Sequence, residues 1–142
     1  MNDLVRLKNF LQEKCFSCKF IILKDKRKKY SINDEKHLQN SYIKYNEVLE
    51  YIAQSRVILD FVREGQNGIT LRPMESIFHS KKLITNNKDI LNYDFYDSSN
   101  IFILGYDQLD KIESFIIENE FKDISQEILD EYLFEAWLER FL

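Results

Sequence analysis

Apolar residues recur along the chain in two patterns that alternate with each other. Spacing of three and four residues, which is typical of amphipathic helices, occurs at residues 2–14, 45–55, 71–78, 107–119 and 125–142. Segments of strand length, most of them near-continuous apolar runs, occur at residues 18–25, 56–62, 81–86 and 100–104. Strands that are apolar throughout are buried on both faces, and their alternation with helices is typical of parallel sheets. The pattern therefore predicts an α/β fold, with a Rossmann-like parallel sheet and helices on both faces.

The spacing of these elements predicts one domain. A chain of 142 residues has the length of a single domain. The polar, aperiodic stretch at 26–44 is interpreted as a loop inside that domain, which covers residues 1–142. The helix at 45–55 is expected to use Asn46 as its N-cap, because asparagine is among the preferred capping residues.

Charge and composition narrow the range of functions. The net charge is −4, which argues against nucleic-acid binding driven by phosphate contacts, because such binding needs a basic surface; no nucleic-acid partner is expected. No apolar run is as long as a membrane span, and the charged stretch at 2–14 lacks the apolar core of a signal peptide. We therefore expect a cytoplasmic protein.

Two of the three glycines in the chain lie in one stretch, residues 65–77, directly after the predicted strand at 56–62. In parallel α/β sheets, ligands bind at the carboxyl ends of strands, often at the start of the next helix. Gly65 and Gly68 would let the backbone turn tightly, and Thr70 is a suitable N-cap for the helix that follows. The free amide groups and the dipole at such a helix start favour an anion such as phosphate.

The predicted helix at 71–78 has two distinct faces. Its apolar face consists of Leu71, Met74, Ile77 and Phe78. Arg72, Glu75 and His79 fall together on a separate face, at about 100° per residue. An arginine near the helix start can hold phosphate oxygens, and a glutamate one turn further on can accept hydrogen bonds from a ribose diol. The alternative is a solvated ion pair between Arg72 and Glu75, worth roughly 0.2–0.5 kcal/mol.

A longer motif runs through this stretch and beyond it. An apolar strand that begins with serine is followed by a glycine loop, then by the pattern G-x-T-x-R-x-x-E and a second strand that ends in I-T. The residues in these positions are Gly68, Thr70, Arg72 and Glu75, then Lys81, Lys82, Leu83, Ile84 and Thr85. Over about residues 45–105, the chain resembles the C-terminal half of bacterial GT-B glycosyltransferases, especially the small enzymes of lipopolysaccharide and capsule assembly.

The resemblance implies a site for a nucleotide-diphosphate sugar. Glu75 would bind the ribose, and the glycine loop and Arg72 would lie near the diphosphate. Asn87 and Lys88, which follow the third predicted strand, would lie at the edge of the site. The implied nucleotide-sugar-binding residues are Gly68, Thr70, Arg72, Glu75, Asn87 and Lys88. The nucleotide sugar is the donor substrate, no cofactor is implied, and the lack of a D-x-D pattern fits chemistry without a bound metal.

Two features depart from that family. Ser80 stands where the family has glycine at the helix end, so the left-handed cap is expected to be lost or distorted. The chain also has room for only one of the two Rossmann-like halves of a GT-B enzyme, and the acceptor-binding half, which brings the catalytic base, is absent. We therefore expect a donor-binding half with little transferase activity alone, and we assign no catalytic residue.

Three other features have ordinary interpretations. Cys15 and Cys18 form a CxxC pattern, but it lies between a helix and a strand in the order opposite to redox motifs, so we expect two ordinary thiols. The basic run at 24–29 is interpreted as a solvated loop, with contact to anionic lipid headgroups on the inner membrane face as the alternative. Asp60 is expected to cap a loop, and His79 to be a surface residue.

The last predicted helix, at 125–142, is apolar over more than half of its circumference. Its large apolar residues include Leu129, Tyr132, Leu133, Phe134, Trp137 and Leu138. Such a surface is rarely left exposed on a monomer, so we expect a homo-oligomer that forms through this helix. The alternative function is a non-catalytic α/β interaction module that dimerises through the same helix and binds no nucleotide.

Overall fold

The computed structural model describes residues 2–139, apart from the side chains of Asn2 and Trp137. The chain forms two compact units, Met1–Val48 and Leu49–Leu142. Each unit has a parallel sheet of its own. The expectation of a single domain stays a prediction.

The N-terminal unit begins with helix α1, Asn2–Glu13, which confirms the helix predicted from apolar spacing. Leu7 and Leu11 on this helix are buried, as residues one turn apart on one face should be. Strand β1, Ile22–Leu23, is much shorter than the apolar run that predicted it at 18–25.

The segment 26–44 is more ordered than its polar composition suggests. It contains helix α2, Ile32–Glu35, and strand β2, Leu38–Gln39, which pairs in parallel with β1. Local chemistry explains the helix, because the Ser31 hydroxyl caps it by accepting a hydrogen bond from the Asp34 amide at 3.2 Å. The interpretation of 26–44 as a loop is therefore wrong.

Helix α3, Tyr45–Gln54, confirms the helix predicted at 45–55. The Glu47 carboxylate accepts a hydrogen bond from the Lys44 amide at 3.1 Å, which is the reach-back contact of a capping box. Asn46 lies inside the first turn, so the prediction that it caps the helix is wrong. The glutamate, and not the asparagine, marks where the helix begins.

The C-terminal unit is built on a three-stranded parallel sheet in the order β3, β4, β5. These strands are Val57–Asp60, Lys82–Thr85 and Ile101–Ile103. Every residue of β4 and β5 is buried, including the polar Lys82 and Thr85 of β4, whereas β3 alternates between buried and partly exposed residues. The predicted α/β class with parallel strands flanked by helices is confirmed.

Helices connect these strands and follow them. Helix α4, Leu71–Phe78, joins β3 to β4, and a 3₁₀ helix, Lys88–Asn92, lies between β4 and β5. The elements after β5 are a 3₁₀ helix at Leu109–Lys111, α5 at Ile112–Ile117, α6 at Gln126–Glu131 and α7 at Phe134–Glu139. The buried apolar residues of the unit include Ile58, Ile77, Leu83, Ile84, Ile90, Phe95, Ile101, Phe102, Ile103, Ile112 and Ile116. No helix within residues 2–139 has the length and apolar character needed to cross a membrane.

The last predicted helix is two short helices in the structure. Helix α6 ends at Tyr132, whose hydroxyl donates a hydrogen bond to the Asp94 carboxylate at 2.5 Å. The Tyr132 ring also meets Phe95 edge-on, with 5.2 Å between the ring centres. These contacts with a distant part of the chain hold Tyr132 at φ −101° and ψ 2°, which ends the helix there. The expectation of one continuous helix is therefore wrong. The side chains of Trp137, Phe141 and Leu142, which belong to the predicted apolar surface, lie outside the described part of the chain.

The end of α4 keeps a left-handed cap although it has no glycine. Ser80 has φ 52°, and the Lys81 amide donates to the Ser76 carbonyl at 2.9 Å, which is the long hydrogen bond of a Schellman motif. The Ser76 hydroxyl donates to the Lys81 carbonyl at 2.6 Å and so closes the same turn. The expected loss of this cap is wrong, because these two hydrogen bonds hold serine in a conformation it otherwise disfavours.

Candidate functional site

The carboxyl ends of β3 and β4 meet at Asp60 and Thr85, which are opposite each other in the sheet register. Asp60 is 3% exposed. One of its carboxylate oxygens accepts a hydrogen bond from the Thr85 hydroxyl at 3.0 Å, and the other accepts one from the Thr70 hydroxyl at 2.7 Å. Asp60 therefore ties two strand ends to the start of α4, as its interpretation as a loop-capping carboxylate requires.

Thr70 caps α4 as predicted. Its extended backbone, at φ −84° and ψ −175°, places the hydroxyl oxygen 3.3 Å from the Arg72 amide, which donates to it. The same hydroxyl donates its own proton to Asp60. Pro73 lies in the first turn of the helix, where its missing amide proton costs little.

The loop between β3 and α4 depends on glycine for its backbone conformation. Gly65 and Gly68 have φ of 82° and 81°, which L-residues rarely adopt. Apart from each glycine and its two chain neighbours, no atom of the described residues 2–139 lies within 4 Å of the position where a Cβ would stand. Open space therefore borders the backbone at both residues, and a ligand could approach it there.

Two asparagines after β4 anchor this loop. The Asn86 side chain accepts a hydrogen bond from the Val62 amide at 2.8 Å and donates one to the Val62 carbonyl at 2.9 Å. It thus makes the two backbone contacts that a residue of a neighbouring strand would make. The Asn87 amide group donates to the Gly68 carbonyl at 3.0 Å. Sequence reasoning missed the role of Asn86, and an amide side chain directly after a buried strand was the signal that could have revealed it.

Asn87 also organises the turn after β4. It is 6% exposed, its backbone amide donates to the Thr85 hydroxyl at 3.0 Å, and its side-chain oxygen accepts from the Asp89 amide at 3.0 Å. Both polar atoms of the side chain therefore have partners within the protein, so the geometry gives Asn87 a supporting position. Lys88 is exposed at the start of the 3₁₀ helix. Ligand contact by either residue stays a prediction.

The ion-pair alternative assumed that Glu75 lies at the surface. In the structure the residue is buried, at 4% exposure. Its Oε2 is paired with Nη1 of Arg72, whose own side chain is 38% exposed. Its Oε1 is buried and accepts no hydrogen bond from any residue in the described part of the chain. An unpaired buried carboxylate oxygen costs about 1–3 kcal/mol, so this atom is the strongest indication of a ligand in the unit.

The two faces of α4 also differ from the expected division. Leu71 and Phe78, which belong to the predicted apolar face, are 58% and 41% exposed, whereas Ile77 is buried. His79 is exposed at the helix end, as predicted. The glutamate side of the helix is thus turned inward, which apolar spacing alone did not indicate.

The opposite edge of the sheet holds a cavity of about 490 Å³. Lys82, at the start of β4, is 3% exposed, and its ammonium donates to the carbonyls of Phe115 and Glu118 at 2.5 and 2.8 Å. Burial, with the nearby Arg56 charge, lowers the pKa of this ammonium. Because those carbonyls belong to the end of α5, Lys82 has the position of a cation that caps a helix C-terminus.

The remaining predicted features lie in the N-terminal unit. Cys15 is exposed and Cys18 half-buried, both are free thiols, and burial raises the pKa of Cys18. In the basic run, Lys24 pairs with Glu35 at 2.7 Å. These contacts are those of ordinary thiols and a solvated basic segment.

Comparison with known proteins identifies no relative of this chain. Scans against models of protein families, against curated proteins and against solved structures each found no match.

Proposed function

We propose that the chain is the donor-binding half of a GT-B glycosyltransferase and binds a nucleotide-diphosphate sugar. The proposal combines the sequence resemblance over about residues 45–105 with a parallel α/β unit whose glycine loop follows the carboxyl end of β3. Ligands of open α/β sheets bind at that edge. By the same resemblance, the product would enter lipopolysaccharide or capsular polysaccharide.

The observation that carries the proposal is the buried Oε1 of Glu75, which accepts no hydrogen bond from residues 2–139. This atom lies one turn into a helix of eight residues that starts directly after the glycine loop. A hydroxyl group of a ribose can donate the missing hydrogen bond, and such a charge-assisted bond is stronger than one between neutral groups. The family that the sequence resembles uses a glutamate in this position for the ribose.

The rest of the site suits a diphosphate next to that ribose. The loop at Gly65 and Gly68 offers open space beside its backbone, and the start of α4 brings a positive dipole end. The Arg72 guanidinium keeps further N–H donors besides the one that holds Glu75. Gly68, Thr70, Arg72 and Glu75 would form the core of the site, with Asn87 behind the loop and Lys88 at its edge.

Titration with UDP-, GDP-, ADP- and CMP-linked sugars tests this proposal. At least one series should bind with a measurable heat, and Glu75→Gln should weaken it because the neutral amide makes a weaker hydrogen bond. Glu127→Gln is the matched control, since Glu127 is an exposed acid in the first turn of α6. Absence of binding in all four series would overturn the proposed function.

The same proposal implies a cytoplasmic enzyme half that works at the inner membrane face, where the basic segment at 24–29 would contact anionic headgroups. The nucleotide sugar would be its substrate, without cofactor or metal. Weak transferase activity is expected of these 142 residues, since the resembled enzymes carry the catalytic base in their other half.

A second function is favoured by a different observation. Leu133, Phe134 and Leu138, near the end of the described chain, are 39%, 66% and 41% exposed. An apolar surface of this kind is typical of interaction sites. A non-catalytic module that dimerises through this region and binds no nucleotide would use it, and the titration above separates the two functions.

A further inference from the structure

The cavity at the amino edge of the three-stranded sheet lies at the opposite edge from the glycine loop and belongs entirely to the C-terminal unit. Its wall comes from three places in the chain: the residues before β3, the turn between α4 and β4, and the segment after α5. Its volume of about 490 Å³ lies within the range of about 300–1,000 Å³ that is typical of sites for small molecules.

Positive charge predominates among the residues that line this cavity. Three of the charged lining residues are the cations Arg56, Lys81 and Lys82, and the single acid is Glu120. The chain as a whole has a net charge of −4, so this concentration of positive charge is local. A cavity of this kind favours an anion.

No carboxylate within residues 2–139 forms an ion pair with Arg56 or Lys82. The Lys82 ammonium donates instead to the carbonyls of Phe115 and Glu118, and it lies 5.0 Å from the centre of the Phe115 ring. Burial lowers the pKa of Lys82, and the nearby Arg56 charge lowers it further, since two like charges repel each other. An anion bound beside these two cations would offset that repulsion.

The wall formed by residues 119–121 is fixed at both ends. Asn100, which is 1% exposed, donates to the Lys122 carbonyl at 2.7 Å and accepts from the Lys122 amide at 2.7 Å. On the other side of this segment, the Lys82 ammonium holds the Glu118 carbonyl at 2.8 Å. The cavity is therefore formed before a ligand arrives, which lowers the entropic cost of binding.

We propose that this cavity binds a small molecule that carries a phosphate group, with Arg56 as the contacting residue and the buried Lys82 as a second positive charge. A phosphate dianion complements the excess of cations, and the planar fork of an arginine can hold two of its oxygens. Ser55, Ser80 and Asn119 bring uncharged hydrogen-bonding groups to the same cavity for the rest of the molecule. This site is separate from the nucleotide site and does not depend on the proposed function.

An NMR titration of the ¹⁵N-labelled protein with inorganic phosphate, glycerol 3-phosphate and glycerol tests the inference. The backbone amide signals of Ser80 and Asn119, which line the cavity, should shift and saturate with both phosphate ligands. Glycerol should leave them in place, because it lacks the charge. The same titration gives the affinity and the location of binding.

Charge-changing variants should alter the affinity in opposite directions. Arg56→Gln should weaken binding about tenfold or more, because it removes a charge-assisted hydrogen bond. Glu120→Gln should strengthen binding about two- to fivefold, because it removes the acid among the lining residues. Lys111→Gln is the matched control and should change the affinity less than about twofold, since Lys111 is exposed and precedes α5 whereas the cavity lies at the end of that helix.

Three results would overturn the inference. The first is the absence of saturable shifts with both phosphate ligands, and the second is an affinity that Arg56→Gln leaves unchanged. The third is a set of shifts confined to the amides of Gly65 and Gly68, because the phosphate would then lie at the glycine loop. Failure of the nucleotide-sugar titrations would leave this inference standing, since the two sites lie at opposite edges of the sheet.

Discussion

Asp60 accepts a hydrogen bond from the Thr70 hydroxyl at 2.7 Å, which joins the last residue of β3 to the N-cap of α4 across the whole glycine loop. Its second oxygen is bonded to Thr85 at 3.0 Å. Both ends of the loop therefore depend on one buried carboxylate. The position of the site's first helical turn follows from this contact.

We expect Asp60→Ala to lower the free energy of unfolding by about 2–4 kcal/mol, because two hydroxyl donors lose a buried acceptor. Asp60→Asn should cost less, since its amide oxygen still accepts one bond. Urea unfolding measures both. Asp123→Ala, at an exposed acid of the same unit, should stay within about 0.5 kcal/mol of the parent, and a similar small change for Asp60→Ala would remove Asp60 from this role.

Glu75→Ala should separate binding from stability. If Oε1 holds the ribose, the variant should bind the nucleotide about 1.5–3 kcal/mol more weakly, the range for a hydrogen bond to a charged group. The free energy of unfolding should fall by less than about 1 kcal/mol, because the substitution also removes a buried oxygen that has no partner within residues 2–139. Calorimetric titration and urea unfolding test the two statements, and unchanged affinity would refute the assignment of Glu75.

Ser80→Gly should stabilise the protein. Ser80 has φ 52° at the end of α4, where glycine carries no steric penalty. The expected gain is about 0.5–1 kcal/mol in the free energy of unfolding. Ser80→Ala is the matched control, since it keeps the Cβ and should give no gain. Equal stability of the glycine and serine proteins would mean that the turn stores no strain.

Tyr132 links the C-terminal helices to the rest of the unit, and its contact predicts a response to alkaline pH. Burial, with the hydrogen bond to Asp94, raises the pKa of Tyr132 above its usual 10.0. The folded protein therefore holds this proton more tightly than the unfolded chain, so the contribution is complete below about pH 10 and is lost progressively above it. Urea unfolding at about pH 8 and about pH 11 should show the loss.

Tyr132→Phe provides the comparison for that experiment. It should cost about 1 kcal/mol near neutral pH through the lost hydrogen bond, and its stability should fall less steeply than that of the parent at alkaline pH. Tyr96, whose pKa burial also raises, stays in both proteins and so cancels in the difference. Parallel pH profiles for the two proteins would show that Tyr132 ionises alike in the folded and unfolded states.

The sequence predicts this fold best where one local pattern decides the outcome. A short apolar run indicated β5, because a strand buried on both faces is apolar almost throughout. In β4 only Leu83 and Ile84 are apolar, and Lys82 and Thr85 are buried with hydrogen-bond partners. Thr70 was predictable as an N-cap, since its hydroxyl acts on an amide only two residues away. The glycine loop was predictable for the same reason, because a positive φ is a local requirement.

The sequence-based predictions fail where contacts between residues far apart in the chain, or hydrogen bonds that composition does not reveal, determine the structure. The contact of Tyr132 with Asp94 spans 38 positions and ends a helix that apolar spacing would continue. Ser80 keeps its left-handed cap through hydrogen bonds between Ser76 and Lys81, which composition does not reveal. The burial of Glu75 is a tertiary property too, so the ion pair with Arg72 could be predicted while its inward position could not.

The apolar surface near the C-terminus predicts self-association. Phe134 is 66% exposed, with Leu133 and Leu138 at 39% and 41%, and the break after α6 places these residues on a short helix and the turn before it. Exposed phenylalanine and leucine in one segment gain free energy when a second copy covers them, by about 25 cal/mol for each Å² of apolar area removed from water. The simplest closed arrangement is a two-fold dimer.

Sedimentation velocity at micromolar concentration should therefore show a dimer that Phe134→Asp converts to a monomer, because a charge at the centre of the contact would have to be buried without a partner. Leu109→Asp is the matched control, since Leu109 is 47% exposed on a different helix and should leave the dimer intact. A parent protein that sediments as a monomer would contradict the prediction. Loss of the dimer in both variants would instead place the contact on a wider surface that includes the Leu109–Lys111 helix.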